Sequence, residues 1–557
     1  MLLAVLLLVF GYLIVPPLLA VVDTSFYAID ARGLRSGLTL ENYAALLNRG
    51  DLAQPLFNTL AFATGSTILA LVIGGGLAWI VGRTNSPLRG LGQAVAFTSM
   101  AIPFVLYTIA WLLVLGQRGP VNMLLMSWLG LGSPPINANT LGAMIAIEGF
   151  LWSPLAFLLL AATFRSMDPS LEESAMISGG GVRQTLTRVT LPLSWPAISS
   201  IGLLVFIRAF ESFEIPALVG MPGRVYVLTT RVYQNTKITP PDYGGASAYA
   251  VVLMGLVLVA LHFYSRATRQ ASRFGTISGK AFRPRVMDLG PWRYLACAAI
   301  LLYFLVLLVV PLALIVWASL MPFYAPPSLD GLRLASLKNY STILTQPGFL
   351  AAMRNTLQIC IGSAAAVVLL SALASWLVVK GKVRGRLLLE QLGALPLVFP
   401  GIVLGLAIMQ LYLLLPIPVY GTIWILGLAY AARYLPYGMR YCNAGLLQIH
   451  QELEEAASVS GASFWRTYRA VVLPLLAPVL LASWIFVFML STKELSMSVL
   501  LASPRSQVMS VAFFELWNNG QVTEVAAFGV LWSAALSAVT AVLFLLGRRY
   551  GLQIHER

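Results

Sequence analysis

Residues 454–474 read Glu-Glu-Ala-Ala-Ser-Val-Ser-Gly-Ala-Ser-Phe-Trp-Arg-Thr-Tyr-Arg-Ala-Val-Val-Leu-Pro, and residues 172–192 read Glu-Glu-Ser-Ala-Met-Ile-Ser-Gly-Gly-Gly-Val-Arg-Gln-Thr-Leu-Thr-Arg-Val-Thr-Leu-Pro. Glu455, Ala456 and Ala457 are followed by Gly461, Val471 and Leu473-Pro474 at the spacing that separates Glu173, Ser174 and Ala175 from Gly179, Val189 and Leu191-Pro192. Each stretch lies in a polar loop between apolar runs. Local chemistry suggests a short helix. Asp168 is placed to cap it, with Pro169 in the first turn, where a missing N–H costs nothing. Glu172 and Glu173, like Glu454 and Glu455, then face the positive end of the helix dipole. Small residues leave a low surface that another protein can approach. Gly179 and Gly461 allow a sharp exit, and Pro192 and Pro474 are suited to open the next helix.

The matched loops belong to a longer repeat, a feature to be sought before any other. Leu40-Glu41-Asn42-Tyr43 recurs as Leu337-Lys338-Asn339-Tyr340, Asn58-Thr59-Leu60 as Asn355-Thr356-Leu357, and Pro103 as Pro400, all offset by 297. Pro154 and Pro436, Gly179 and Gly461, and Leu191-Pro192 and Leu473-Pro474 are offset by 282. The difference is one shorter outside loop in the second copy. The chain reads as a tandem duplication, with a first unit over 1–265, a basic linker over 266–294 and a second unit over 295–557.

Hydrophobic residues make up 59% and charged residues 10% of the chain, and mean hydropathy is +0.82. A soluble chain of this length needs far more charge to cover its surface. A helix of about 20 apolar residues crosses the hydrocarbon core, and closed backbone hydrogen bonding excludes open alternatives. Twelve spans are expected, near 1–22, 57–81, 91–116, 141–164, 196–218, 247–265, 295–319, 355–379, 387–415, 417–441, 476–502 and 525–547. The first is too long and lacks the charged flank of a signal peptide. The expected class is an all-α polytopic membrane protein with about twelve transmembrane helices.

The net charge of +15 is placed as a membrane protein places it. Loops assigned to the cytoplasm, with both termini inside, carry about twice as many Lys and Arg as outside loops. Residues 380–386 hold Lys380, Lys382, Arg384 and Arg386, and residues 266–293 hold seven basic residues against Asp288. That distribution marks a membrane face and excludes a nucleic-acid footprint. Cys297, Cys360 and Cys442, and His262, His450 and His555, are scattered, so neither a disulfide framework nor a metal centre is expected. Gly275-Thr276-Ile277-Ser278-Gly279-Lys280-Ala281 fails as a phosphate loop: three residues separate its glycines where four are needed, and Ala281 replaces the magnesium-binding hydroxyl.

A simple connector between spans would not require Glu, Gly and Leu-Pro at matched spacing in both copies. The pattern resembles the EAA loop of permeases in binding-protein-dependent ABC importers, and the resemblance extends through the repeat over nearly the whole chain. Ser174 departs from the usual Ala, and Gly180 and Gly181 loosen the first loop, so unequal coupling is expected. The resemblance implies a separate ATPase, in two copies, docked on Glu172, Glu173, Ser174, Ala175, Gly179, Leu191 and Pro192 and on Glu454, Glu455, Ala456, Ala457, Gly461, Leu473 and Pro474. It implies that ATP and Mg are bound by that partner and no cofactor by this chain. It also implies an extracytoplasmic solute-binding protein, and a bacterial inner membrane as the location.

Ionisable residues at membrane depth are expensive and mark pathways. Glu148, Arg208, Glu211, Glu214, Lys493 and Glu494 are the pathway candidates. A structural ion pair between halves, such as Glu211 with Lys493, is the alternative. Phe210–Leu218, Thr492-Lys493-Glu494-Leu495 and Ser278–Arg285 resemble the fused ferric-iron permeases, and carboxylates suit a hard cation. Permeases for thiamine, polyamines and aminoethylphosphonate share much of this pattern.

Two other classes fit less well. A secondary transporter of the major facilitator type would carry an acid and clustered arginines between its second and third spans, whereas residues 82–90 hold Arg83 and Arg89 without an acid. An embedded enzyme would need a paired-carboxylate, His-rich or Ser-His constellation, and the sequence offers none.

Overall fold

The computed structural model describes residues 1–30, 35–48, 51–100, 102–273, 286–381 and 383–549. Among these residues, ten helices are long and apolar enough to cross a bilayer: Leu2–Ser25, Ala53–Arg83, Phe104–Leu129, Leu141–Ser166, Val182–Phe210, Tyr243–Thr268, Trp292–Leu320, Pro347–Val379, Phe464–Ser491 and Val522–Val539. Arg386–Val398 and Gly401–Leu414 meet at 108°, the bend of a broken span or a re-entrant loop, and count as an eleventh candidate if the pair is one span. The expected span at 417–441 is the 26-residue helix Ile423–Gln448. It is less apolar because it carries Arg433, Arg440 and four tyrosines. Gly275–Ala281 and Ser278–Arg285 lie outside the described residues.

The expected third span, 91–116, is not one rod. Helix Arg89–Ser99 stops, Pro103 caps a new start, and Phe104–Leu115 follows. Pro400 does the same for Gly401–Leu414 in the second copy. Proline lacks an N–H and its ring collides with the carbonyl one turn back, so a helix restarts there. Both half-helices are deeply enclosed, with Val105 to Val114 and Gly401 to Gln410 buried throughout.

The sequence repeats correspond to repeated hydrogen bonds. Asn42 Nδ2 donates to the carbonyls of Ser25 and Tyr27, both at 2.9 Å, and Asn339 Nδ2 donates to those of Ser319 and Met321 at 2.9 and 2.7 Å. The neighbouring Tyr43 and Tyr340 hydroxyls meet Ser25 and Ser319. Each Asn-Tyr pair therefore closes the open end of a unit's first span. Asn58 Nδ2 donates to the Tyr226 carbonyl at 2.8 Å, and Asn355 Nδ2 donates to those of Arg505 and Gln507. Thr59 and Thr356 hydroxyls accept from the N–H groups of Leu228 and Met509. The second span thus holds the segment beyond the fifth. Asn355→Ala would orphan two carbonyls at a cost of about 1–3 kcal/mol, read as a lower melting temperature of the detergent-solubilised chain. An unchanged melt would remove Asn355 from the framework.

The halves interlock. Leu2–Ser25 packs on Arg386–Ala394 and Gly401–Leu414 of the second half, and Val310–Leu320 packs on Phe104–Leu115 of the first. Leu6, Phe10 and Ile14 form a buried cluster with Ala374, Leu377, Leu389, Leu435 and Met439. The Tyr12 and Tyr412 hydroxyls are 3.2 Å apart, and Tyr324 donates to the Leu113 carbonyl at 3.1 Å.

Second and fourth spans pack closely in each unit. A Cβ on Gly74 would collide with the Ser153 carbonyl and approach Ala156, and a Cβ on Gly438 would collide with the Ser371 hydroxyl. Gly74 and Ala156 correspond through the repeat to Ser371 and Gly438, so one small pair has exchanged its partners. Gly438→Ala should lower the melting temperature, and adding Ser371→Gly should restore most of the loss. A double variant no better than the single would refute the exchange.

Prolines also set the π-helical turns. Leu186–Thr190, Tyr468–Val472 and Leu305–Val309 each precede a residue followed by proline: Pro192, Pro474 and Pro311. The wider turn displaces the carbonyl that the proline ring would strike. The fifth and eleventh spans consequently begin at Val182 and Phe464, earlier than the expected 196 and 476. Leu191-Pro192 and Leu473-Pro474 lie inside those helices.

Candidate functional site

The twin loops fold alike. Helices Ser170–Ile177 and Gln451–Val459 carry the Glu residues in or near their first turns. The Asp168 carboxylate accepts from Ser170 N–H at 2.9 Å, as a cap does. Gly179 (φ +88°) and Gly461 (φ +79°) take the left-handed conformation that favours glycine. Around them Gly180 N–H reaches the Ala175 carbonyl and Ala462 N–H the Ala457 carbonyl, at 2.9 and 3.0 Å. These are the closing bonds of a Schellman stop. Ile177 and Val459, at equivalent tips, are 87% and 91% exposed, and Leu171 and Leu453 are also exposed. Sequence reasoning missed these four apolar residues, although the offset of 282 pairs them. Ser174, Ala456, Gly179 and Gly461 are exposed beside them.

The two glutamates of each pair part company. Glu172 is buried, accepts from the Thr190 hydroxyl at 2.6 Å and lies 3.6 Å from Arg83 Nε. Glu454 accepts from Trp376 Nε1 at 3.0 Å and lies 3.9 Å from Lys380 Nζ. Arg83 also donates to the Met167 carbonyl at 3.0 Å, and Lys380 to that of Ile449. Glu455 is exposed and accepts from Gln451 at 3.0 Å. Arg83 and Lys380 were read from sequence only as basic residues of cytoplasmic loops. The linker's described end docks on the first unit. Met287 N–H donates to the Arg83 carbonyl at 2.8 Å, and Asn85 N–H to that of Met287 at 3.1 Å. The Gly290 N–H and the Asn85 side chain hold the Asp288 carboxyl below its usual range. A cleft of about 360 Å³ runs between Val286–Asp288 and Glu172, Glu173, Met176 and Ile177.

The deep charges gather at mid-chain breaks. The fifth span's helix ends at Phe210 and the eleventh's at Ser491. Glu211, Glu214, Lys493 and Glu494 therefore occupy the chain beyond helix ends, whereas the sequence placed them within continuous spans. The starts of Phe104–Leu115 and Gly401–Leu414 meet the same region. Arg433 Nη2 donates to Glu211 Oε2 at 3.0 Å, and Arg208 Nη1 lies 3.8 Å from it. Arg433 also reaches the Phe399 carbonyl. Arg208 meets the Tyr437 hydroxyl, with the ring centroid 5.7 Å away. Lys493 instead donates to the Met100 carbonyl and lies 5.4 Å from the Phe104 ring centroid, so the suggested Glu211–Lys493 pair does not form. An ion pair between halves does exist, with Arg433 as the cation.

The remaining carboxylates are held by neutral donors. Glu148 accepts from Trp152 Nε1 at 2.8 Å and Ser212 at 3.0 Å. Glu214 accepts from Ser496, its own repeat equivalent, at 3.3 Å. Glu494 accepts from the Tyr434 hydroxyl at 2.9 Å and Met497 N–H at 3.1 Å. Tyr430, Tyr434 and Tyr437 recur at helical spacing on Ile423–Gln448, a stripe the sequence displayed but did not single out. Among the described residues no three His, Cys, Asp or Glu side chains are placed to hold a metal ion. The cluster offers four carboxylates and three cations on surfaces contributed by both halves.

Residues 54–271 and 368–550 match the family described as "Binding-protein-dependent transport system inner membrane component". A putative ferric transport system permease protein, FbpB 1 of Haemophilus influenzae, is 26% identical over 92% of this chain and 79% of its own length. The ferric transport system permease protein FbpB of Actinobacillus pleuropneumoniae is 26% identical over 97% of this chain and 76% of its own. A putative 2-aminoethylphosphonate permease, PhnU of Salmonella typhi, is 28% identical over 47% of this chain and 91% of its own. A chain of a bacterial alginate ABC importer has 17% identity and a TM-score of 0.37, covering 46% of this chain and 94% of that one. The two matched segments together span most of the sequence, and the chain belongs to the family of binding-protein-dependent transport system inner membrane components, with the family's domain present twice.

Proposed function

We propose that the chain is the fused permease of an ATP-binding-cassette importer that carries ferric iron. Its units, 1–265 and 295–557, are joined by the 266–294 linker. Two copies of a separate ATPase dock on the helices Ser170–Ile177 and Gln451–Val459 and hold the ATP and Mg. A solute-binding protein delivers cargo at the outer face of a bacterial inner membrane, and both termini are cytoplasmic. The observation that carries this reading is the pair of matched loop helices. Each ends at a left-handed glycine and leaves a large apolar tip, Ile177 or Val459, exposed. The recurrence of an exposed apolar tip at the equivalent place in both copies supports a protein partner at each. Glu173, Ser174, Ala175, Gly179, Glu455, Ala456, Ala457 and Gly461 form the docking faces, with Glu172 and Glu454 behind them. Leu191-Pro192 and Leu473-Pro474 carry the movement into the membrane helix.

Iron as cargo is supported by the two ferric relatives and by Glu148, Glu214 and Glu494, separate carboxylates of the oxygen-donor type a hard cation favours along a path. Those three, with Arg208, Glu211 and Lys493 around them, are the proposed pathway. The phosphonate relative supports a second reading, in which Arg208, Arg433 and Lys493 face an anion. Radiolabelled ferric citrate uptake by cells carrying the chain, its ATPase and its binding protein separates them. Competition by aminoethylphosphonate, or uptake that runs on an ion gradient without the ATPase, would refute the proposal.

A further inference from the structure

We infer that Arg83 and Lys380 are positioning residues of a paired transmission joint, each linking a loop helix to the cytoplasmic end of a second span through Glu172 or Glu454. The inference rests on the docking role proposed for those helices. Arg83 and Lys380 correspond by the offset of 297, while Glu172 and Glu454, and Met167 and Ile449, correspond by that of 282. Both offsets converge on one arrangement. In each half a cation at the end of the second span reaches the loop-helix carboxylate and the carbonyl at the end of the fourth. The surroundings differ, Thr190 holding one carboxylate and Trp376 the other, and Arg stands where Lys stands in the other copy. The link survives those changes.

The joint is loosely closed. Separations of 3.6 and 3.9 Å exceed the roughly 2.7–2.9 Å of a charge-assisted hydrogen bond. Arg83 Nε and Nη1 and Glu454 Oε1, all buried, have no hydrogen-bond partner among the described residues. Unmade bonds at buried charges favour closure when the geometry allows it. A loop helix pushed by a docked partner can supply that geometry. Arg83 ends the single 31-residue helix Ala53–Arg83, whose other end carries Asn58 and Thr59, which hold the carbonyl of Tyr226 and the N–H of Leu228 near the opposite end of the bundle. At about 1.5 Å per residue the helix is long enough to cross the membrane, so movement at the joint reaches the segment beyond the fifth span without an intermediate.

The test uses the full chain co-expressed with its ATPase and reconstituted in lipid nanodiscs, with spin labels at the exposed, repeat-related Thr187 and Arg469. Arg83→Gln and Lys380→Met should capture the ATPase within twofold of the unsubstituted chain. They should nevertheless lose the ATP-driven change in label separation and, in cells, lose at least tenfold in ferric citrate uptake. Arg83→Lys and Lys380→Arg should regain more than half of both. Should Arg83→Gln fail to fold, Lys380→Met in the more exposed joint decides the matter. An unaltered ATP-driven distance change overturns the joint, as does a loss matched by equal loss of ATPase capture. If the unsubstituted chain captures no ATPase, the docking reading falls and the joint falls with it.

Discussion

Arg433→Met should be among the most damaging single substitutions in this chain. The guanidinium comes from the second half and is bound by Glu211 of the first at 3.0 Å, while it also reaches the Phe399 carbonyl at the break before Gly401. Removing it leaves the carboxylate to Arg208, 3.8 Å away, and strips a helix-end carbonyl of its cation. Breaking a buried pair from one side costs about 3–5 kcal/mol, a large part of a typical stability of about 5–15 kcal/mol. The expected readout is a sharply lower melting temperature with little uptake. Arg433→Lys should recover only part, because a point charge does not serve two separated acceptors as the planar fork does. Arg433→Met with Glu211→Gln should melt above Arg433→Met alone, since the stranded charge is gone. Wild-type melting of Arg433→Met would show that the pair does not hold the halves together.

Gly461→Asp and Glu455→Lys should act on transport with little effect on folding. At Gly461 a Cβ meets no atom within 4 Å, so the cost is the left-handed backbone, about 1–2 kcal/mol. The added carboxylate, however, stands on the face proposed to receive the ATPase, next to the exposed Val459 tip. Glu455→Lys reverses a charge on the same face. Uptake should fall at least tenfold and ATPase capture should fall with it, while the melt shifts by a few degrees. Transport-coupled ATP hydrolysis at the original rate in either variant would count against docking there.

Much of this was legible without coordinates because duplication writes the same physics twice. Asn42 and Asn339, and Asn58 and Asn355, are visible as repeats, and each pair grips the corresponding stretch of backbone, Asn355 holding one carbonyl more than Asn58. The loop helices were legible for a local reason: caps, dipole-facing acids and a stop glycine act within a few residues. What stayed hidden depends on partners far apart in sequence. Nothing in the neighbourhood of Glu211 indicates that its cation is Arg433 and not Lys493. Arg83 and Lys380 were masked by the rule that explains most basic residues at a membrane face, although the offset of 297 had already aligned them. Breaks at Pro103 and Pro400 were also available as a proline pair, but an apolar run conceals an interruption that hydropathy alone does not register.

The grip of Leu2–Ser25 on the second half, and of Val310–Leu320 on the first, changes what the moving parts of a transport cycle can be. Any rocking of one unit against the other must slide or strain an opening helix that is packed on both. Each opening helix is thus a strap between the two copies, since Leu2–Ser25 also lies on Tyr243–Arg273 and Val310–Leu320 on Val522–Arg549 of its own unit.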